Sequence, residues 1–191
     1  MSLPFPLQLL TPWLAPDPFP LLAEIRVAPR FREVVSSTDS LTRRLERLTG
    51  AASRVRLEEQ FQHPLLEEDP LLWGPEYRIP EAPAILSRNA WLALGTQDLV
   101  FAHSQLALSG MAPSTRRAIE QGEAPLGALF LARDEPVERR HLCLAVGVAP
   151  ALARSVNFPE HHRFVMRRSL FLVAGEACGR ILELFLMDLS Q

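Results

Sequence analysis

The sequence predicts an α+β domain: one largely antiparallel β-sheet flanked by a few short helices. Three observations predict it. Runs of alternating apolar and polar residues recur from residue 53 onward, and turn residues join several of them as hairpins. The helical stretches are brief, and each has its own start and stop residues. Strands follow strands directly, without the helical crossovers that a parallel sheet requires.

A chain of 191 residues suffices for one domain with a sizeable core. Residues 31–191 read as that domain, and residues 1–30 as a proline-rich N-terminal arm. Hydrophobic residues at 48% and charged residues at 22% describe an ordinary soluble globular protein. A formal net charge of −2 leaves no electrostatic footprint for nucleic acid or an anionic membrane. Every basic residue is Arg, so chemistry that needs a Schiff-base lysine or a P-loop lysine is excluded. Cys143 and Cys178 lie among apolar neighbours and read as reduced, buried thiols rather than a disulfide framework or a zinc site. The first twenty residues hold six prolines and no basic n-region, which argues against a signal peptide. No apolar run reaches the roughly 18–20 residues of a membrane span. The expectation is a soluble, cytoplasmic monomer.

Taken in order, the arm packs Leu, Phe and Trp13 onto the body, with a short helix at about 20–27. The first strong element is SSTDSLTRRLERLTG. Its N-cap candidates, Leu41, Leu45 and Leu48 at helical spacing, and the stop at Gly50 predict a helix over 39–49 with Arg43, Arg44 and Arg47 in solvent. Val55, Leu57 and Phe61 alternate with charges as a half-buried strand over 53–61. Residues 62–82, with four prolines, read as a long surface connection. An antiparallel hairpin follows, 84–94 and 99–106 around Gly95-Thr96-Gln97-Asp98. A short helix covers 114–121, closed by Gly122, and PLGALF (125–130) starts another. Residues 140–148 form an apolar strand, 149–162 an irregular excursion, and 163–174 with 179–189 a closing hairpin.

Glu183 poses the chemical question. It shares a strand face with Ile181, Phe185 and Met187, where an ionised carboxylate is costly unless a cation meets it. Arg88 lies in the same way with Leu86, Ala90 and Leu92, which makes it the candidate partner. One reading is a buried ion pair that braces the sheet. The other is an enclosed pocket for a small anion, with Arg88 gripping a carboxylate and the amides near Leu41 and Leu126 assisting at two helix starts. His63, His103, His141 and the His161-His162 pair show no metal-ligand spacing, and no metal or cofactor is expected. G-x-S-x-G, P-loop and dinucleotide signatures are absent.

Four segments, DSLTRRLE (39–46), SRNAWL…LVFAHS (87–104), PLGALF (125–130) and RRSLFL…LELFL (167–186), together resemble the bacterial chorismate lyases in the order that family shows. The resemblance implies a cofactor-independent carbon–oxygen lyase that converts chorismate to 4-hydroxybenzoate and pyruvate, the entry step of ubiquinone synthesis. The same fold as a non-catalytic 4-hydroxybenzoate binder is the alternative. It implies that Arg88 binds a substrate carboxylate, that Glu183 meets the hydroxyl end, and that Leu41 and Leu126 contribute backbone amides. The sequence departs from the pattern at His103, where many members have Arg, at Ala102, in a longer 149–162 excursion, and at Met187 in place of a common Pro.

Overall fold

The computed structural model describes residues 3–17, 27–64, 72–79, 84–122, 126 and 137–186. Within them seven strands form one sheet: β1 (Gln8–Leu9), β2 (Ser53–His63), β3 (Ile85–Leu94), β4 (Gln97–Ala107), β5 (Val137–Val148), β6 (Arg163–Val173) and β7 (Glu176–Phe185). Their order across the sheet is β1-β5-β6-β7-β4-β3-β2, and each pairing is antiparallel. The α+β expectation stands. Strand ends shift: β7 starts at Glu176 rather than 179, because Ala174 and Gly175 alone make the turn. Both have positive φ, 51° and 84°, a two-residue geometry whose twist suits a tight hairpin.

Four helices accompany the sheet among the described residues: α1 (Pro29–Ser36), α2 (Leu41–Thr49), α3 (Pro113–Gln121) and α4 (Pro150–Ser155). The helix expected over 39–49 is α2, with Ser40 as its N-cap accepting from the Arg43 amide. Two helices were not expected. α1 lies across the boundary drawn between arm and domain, and α4 occupies part of the supposed irregular excursion. Each starts at a proline without a side-chain cap, so only the proline marked its first turn. The arm is more regular than expected at one point, where Gln8 and Leu9 pair with Val148 and Gly147 at the sheet edge. The helix proposed near 20–27 and most of PLGALF fall outside the described residues; Leu126 is described. No helix among the described residues is long and apolar enough to cross a membrane.

Alternation sends the side chains of the central strands β3, β4, β6 and β7 to two buried faces. On one, Leu3, Phe5, Trp73 and Tyr77 pack with Leu152 of α4 over Phe101, Phe164, Leu182 and Leu184. The other face carries two clusters. Val34, Val35, Leu41 and Leu45 from α1 and α2 cover Leu92, Val100, Leu144 and Phe185. Met111, Ile119 and Leu126 cover Leu86, Leu106, Phe171 and Ile181. A cavity lies where these two clusters meet.

The sheet centre is tightly closed where β4 meets β7. A methyl group added at Gly179 would run into the Leu106 side chain and come within 2.8 Å of the Gln105 carbonyl oxygen. The backbone carbonyl cannot give way as a side-chain tip could. Gly179→Ala should therefore lower stability by about 1–3 kcal/mol, read as a lower midpoint in urea unfolding. An unchanged midpoint would show that the two strands can separate locally.

Candidate functional site

Glu183 sits near the C-terminal end of β7, directly opposite Arg167 of β6 and Ala102 of β4. It is 3% exposed, and two guanidiniums meet it. Arg167 Nε donates to Glu183 Oε2 at 2.6 Å, and Arg139 Nη1 donates to the same oxygen at 3.1 Å. Arg139 Nη2 reaches Oε1 at 3.5 Å, and its Nη1 also donates to the Ser169 hydroxyl at 3.2 Å. The cations that meet Glu183 are thus Arg139 and Arg167, which corrects the expectation that Arg88 would be its partner.

A bulge brings Arg139 there. Cys143 pairs with Arg168, but Arg140 pairs with Leu170, so His141 and Leu142 together oppose Ser169. His141 takes a positive φ of 52° to make the extra step. Unbroken alternation from Leu144 would place Arg140 on the cavity face. The bulge exchanges the two arginines, so Arg139 shares the face of its partner Phe171, and its guanidinium lies 4.5 Å from that ring centroid. Re-aiming one side chain in this way is a common use of bulges beside sites. Arg140, by contrast, pairs with Glu138 in solvent.

Arg167 has a second task. Its Nη1 donates to the carbonyl oxygens of Val34 and Ser37, at 3.3 and 3.2 Å. These belong to the last turn of α1 and its C-cap, where carbonyls lack helical partners and the helix dipole favours a cation. One buried guanidinium therefore ties Glu183 to the helix pair above the cavity.

The cavity holds about 550 Å³ not filled by protein atoms, counting its mouth. Arg88, Glu183, Leu41 and Leu126 all line it, together with Arg139, Phe171 and Ile181. Arg88 is 2% exposed and donates from Nη2 to the Gly122 carbonyl oxygen at 2.9 Å, just past the end of α3. Leu41 is the first residue of α2, so its amide points out of the helix without an intrahelical acceptor. Register places Arg88 level with Ser104 and Ile181, two residues along β7 from Glu183. Two strand spacings and two residue steps put the Arg88 and Glu183 α-carbons about 12 Å apart. They stand at opposite ends of one cavity.

His103 is elsewhere. Its neighbours Ala102 and Ser104 line the cavity, and the imidazole points to the other face of the sheet, where Nδ1 is bonded to Asn89 Oδ1 at 2.7 Å. Among the described residues no cluster of three His, Cys, Asp or Glu stands ready for a metal ion.

Electrostatics follow from burial and pairing. Burial alone would raise the Glu183 pKa, but Arg139 and Arg167 outweigh it and hold the carboxyl down at about 2. Burial lowers the pKa of Arg88, and also that of Arg139, where Glu183 opposes it. Among the described residues two guanidiniums line the cavity, a third stands behind Glu183, and Glu183 is the only lining carboxylate. Among these described groups the balance is two positive charges.

Residues 13–189 match the family described as chorismate lyase. The chain belongs to the chorismate lyase family. No curated protein sequence matches it. Its fold resembles PhnF from Mycobacterium smegmatis (TM-score 0.62, 14% identity, over 81% of this chain and 67% of that one). It also resembles the effector domain of the same protein (0.55, 12%, 78% and 89%). A third likeness is to YydK of Bacillus subtilis, described as a possible transcriptional regulator (0.56, 13%), where 73% of this chain spans 60% of that one. At these identities the likeness is one of fold.

Glu183 has a folded-state pKa below the unfolded carboxylate value of about 4.3. Its ionised form therefore contributes stability that is complete above that value and is lost as pH falls toward the folded pKa. The stability difference between the wild type and Glu183→Gln should be constant from neutral pH down to about 5, then shrink between about pH 5 and 2. Urea unfolding at a series of pH values reads this, and a difference that grew on acidification would contradict the pairing.

Proposed function

We propose that this protein is a cofactor-independent lyase that eliminates pyruvate from chorismate to give 4-hydroxybenzoate, the entry step of ubiquinone biosynthesis. The observation that carries the reading is one apolar cavity with a balance of two positive charges and a single ionised carboxylate at one end. Chorismate is a dianion with a flat-sided ring and a hydroxyl para to its ring carboxylate. In this reading Arg88 takes the ring carboxylate, with the amides of Leu41 and Leu126 beside it, and Glu183 accepts a hydrogen bond from the 4-hydroxyl. Leu41, Leu92, Leu126, Phe171 and Ile181 enclose the ring.

The reaction breaks the ether bond at ring carbon 3 and the C–H bond at carbon 4. The ring becomes aromatic, and the hydrogen it loses is balanced by the third methyl hydrogen of pyruvate. Aromatisation supplies the driving force, so the site's task is to orient the dianion and stabilise charge on the departing enolpyruvyl oxygen. A carboxylate held near pKa 2 is a weak base. In this reading Glu183 orients the hydroxyl. Leu41 at the start of α2 and Leu126 line the cavity, and in this reading 4-hydroxybenzoate leaves past them. The reading makes the protein a cytoplasmic monomer acting on a small molecule.

A second reading has one observation in its favour, the likeness of fold to an effector domain. On that reading the cavity binds 4-hydroxybenzoate without turnover.

Purified protein incubated with chorismate should release pyruvate and 4-hydroxybenzoate in equal amounts. Tight binding of 4-hydroxybenzoate with no pyruvate formed would favour the binder. Arg88→Ala should lower kcat/KM by about 100-fold or more, since a charge-assisted two-pronged contact is lost, while circular dichroism still reports a folded sheet. Full activity in that variant would remove Arg88 from the site.

A further inference from the structure

Glu183 already has a close cation in Arg167, yet the fold inserts a bulge into β5 to bring a second one beside it. The two arginines are not equivalent. Arg167 is wholly buried, bonded to Glu183 and to two carbonyls of the α1 turn, and is absent from the cavity wall. Arg139 lines the cavity. Its Nη1 hydrogens go to Ser169 and Glu183, its Nη2 makes only the 3.5 Å contact with Glu183, and among the described residues its Nε has no acceptor. The Arg139 guanidinium lies 4.5 Å from the Phe171 ring centroid.

We infer that Arg139 forms a second carboxylate subsite, which holds the carboxylate of the enolpyruvyl group that leaves as pyruvate. The inference rests on the chorismate reading of the cavity and says how the second negative charge is recognised. In chorismate the enolpyruvyl ether is on the ring carbon next to the one that bears the hydroxyl. If the hydroxyl meets Glu183, the side chain on the adjacent carbon falls beside the guanidinium that grips Glu183, far from Arg88. Arg88 then reads the carboxylate that stays with the product, and Arg139 reads the one that departs. Once the ether bond breaks, no covalent link spans the two subsites. The remaining benzoate has nothing to offer Arg139.

Discrimination between dianion and monoanion follows, and it can be measured first on the unaltered protein. A 4-hydroxybenzoate that carries a carboxymethoxy group at ring carbon 3 is a stable aromatic mimic of the substrate. It should bind at least tenfold more tightly than 4-hydroxybenzoate by calorimetry at one pH and salt concentration. Arg139→Met keeps the stem over Phe171 and removes the charge. It should raise the KM for chorismate and the Kd of the mimic by about 100-fold, while the Kd of 4-hydroxybenzoate changes less than about threefold. Arg139→Lys retains a charge beside Glu183 without the fork, and should give the same selectivity at about tenfold should the Met variant not fold. Equal losses for all three ligands, or a mimic no tighter than 4-hydroxybenzoate, would make Arg139 a structural partner of Glu183 and overturn the subsite. If the wild type bound the mimic selectively yet released no pyruvate from chorismate, the lyase reading would fail and the subsite would stand.

Discussion

The rest of the site depends on one buried carboxylate held between two guanidiniums. Glu183 is at the centre of the sheet, with strands on both sides and no solvent to share its charge. Its ionisation requires Arg139 and Arg167, and each of these imposes a demand on the fold. Arg139 requires the bulge at His141 and the aromatic shelf of Phe171. Arg167 requires acceptors for its remaining hydrogens and finds them at the end of α1, which seats the helix pair over the cavity. Such a cluster is a poor investment if stability is the only aim, since well-packed apolar residues of similar volume often do as well or better. Its value is in what it presents to the cavity: an acceptor that stays ionised and a cation with unused donors.

How much of this was legible follows from which signals are local. Alternation along β3 put Arg88 on the covered face with Ala90 and Leu92, and both do line the cavity. The capping residue and leucine spacing of α2 marked the helix that begins at Leu41. The Arg139–Glu183–Arg167 cluster was hidden by register. A closing turn assigned to 175–178 sets Glu183 opposite Leu170, whereas the true two-residue turn at Ala174-Gly175, with its bulge, sets it opposite Arg167. A shift of three residues exchanges a charge for a leucine. Arg139 was hidden by parity, because no residue in VERRHLCLAVGV announces that the alternation breaks at His141. Two adjacent arginines at 139 and 140 before an apolar run were the one available hint that one of them turns inward.

The likeness to PhnF and its effector domain is one of scaffold, and a shared scaffold leaves function to the side chains grafted on it. Two apolar clusters on one face of the sheet, with a cavity at their junction, provide a binding space whatever lines it. In this chain the lining has a preference written into it. Among the described residues the walls are largely apolar, and Arg88, Arg139 and Glu183 are the charged groups set into them.

The position of His103 sharpens what the departure from the family pattern means. A missing arginine in the cavity wall would take a charge away from the substrate. His103 lies on the opposite face, so the cavity's charge balance is set without it. Burial, and then the positive charge of Arg180, hold its pKa down at about 4, so the imidazole is neutral across the physiological range. Arg180 is itself enclosed there, donating to Gln105 and lying 4.8 Å from the Trp73 ring centroid. A second permanent cation at 103 would have to share that enclosed layer with Arg180, at a repulsive cost that a neutral imidazole avoids. His103 is thus a neutral group behind the sheet, and Ala102 and Ser104, its neighbours on the strand, are the residues that face the cavity.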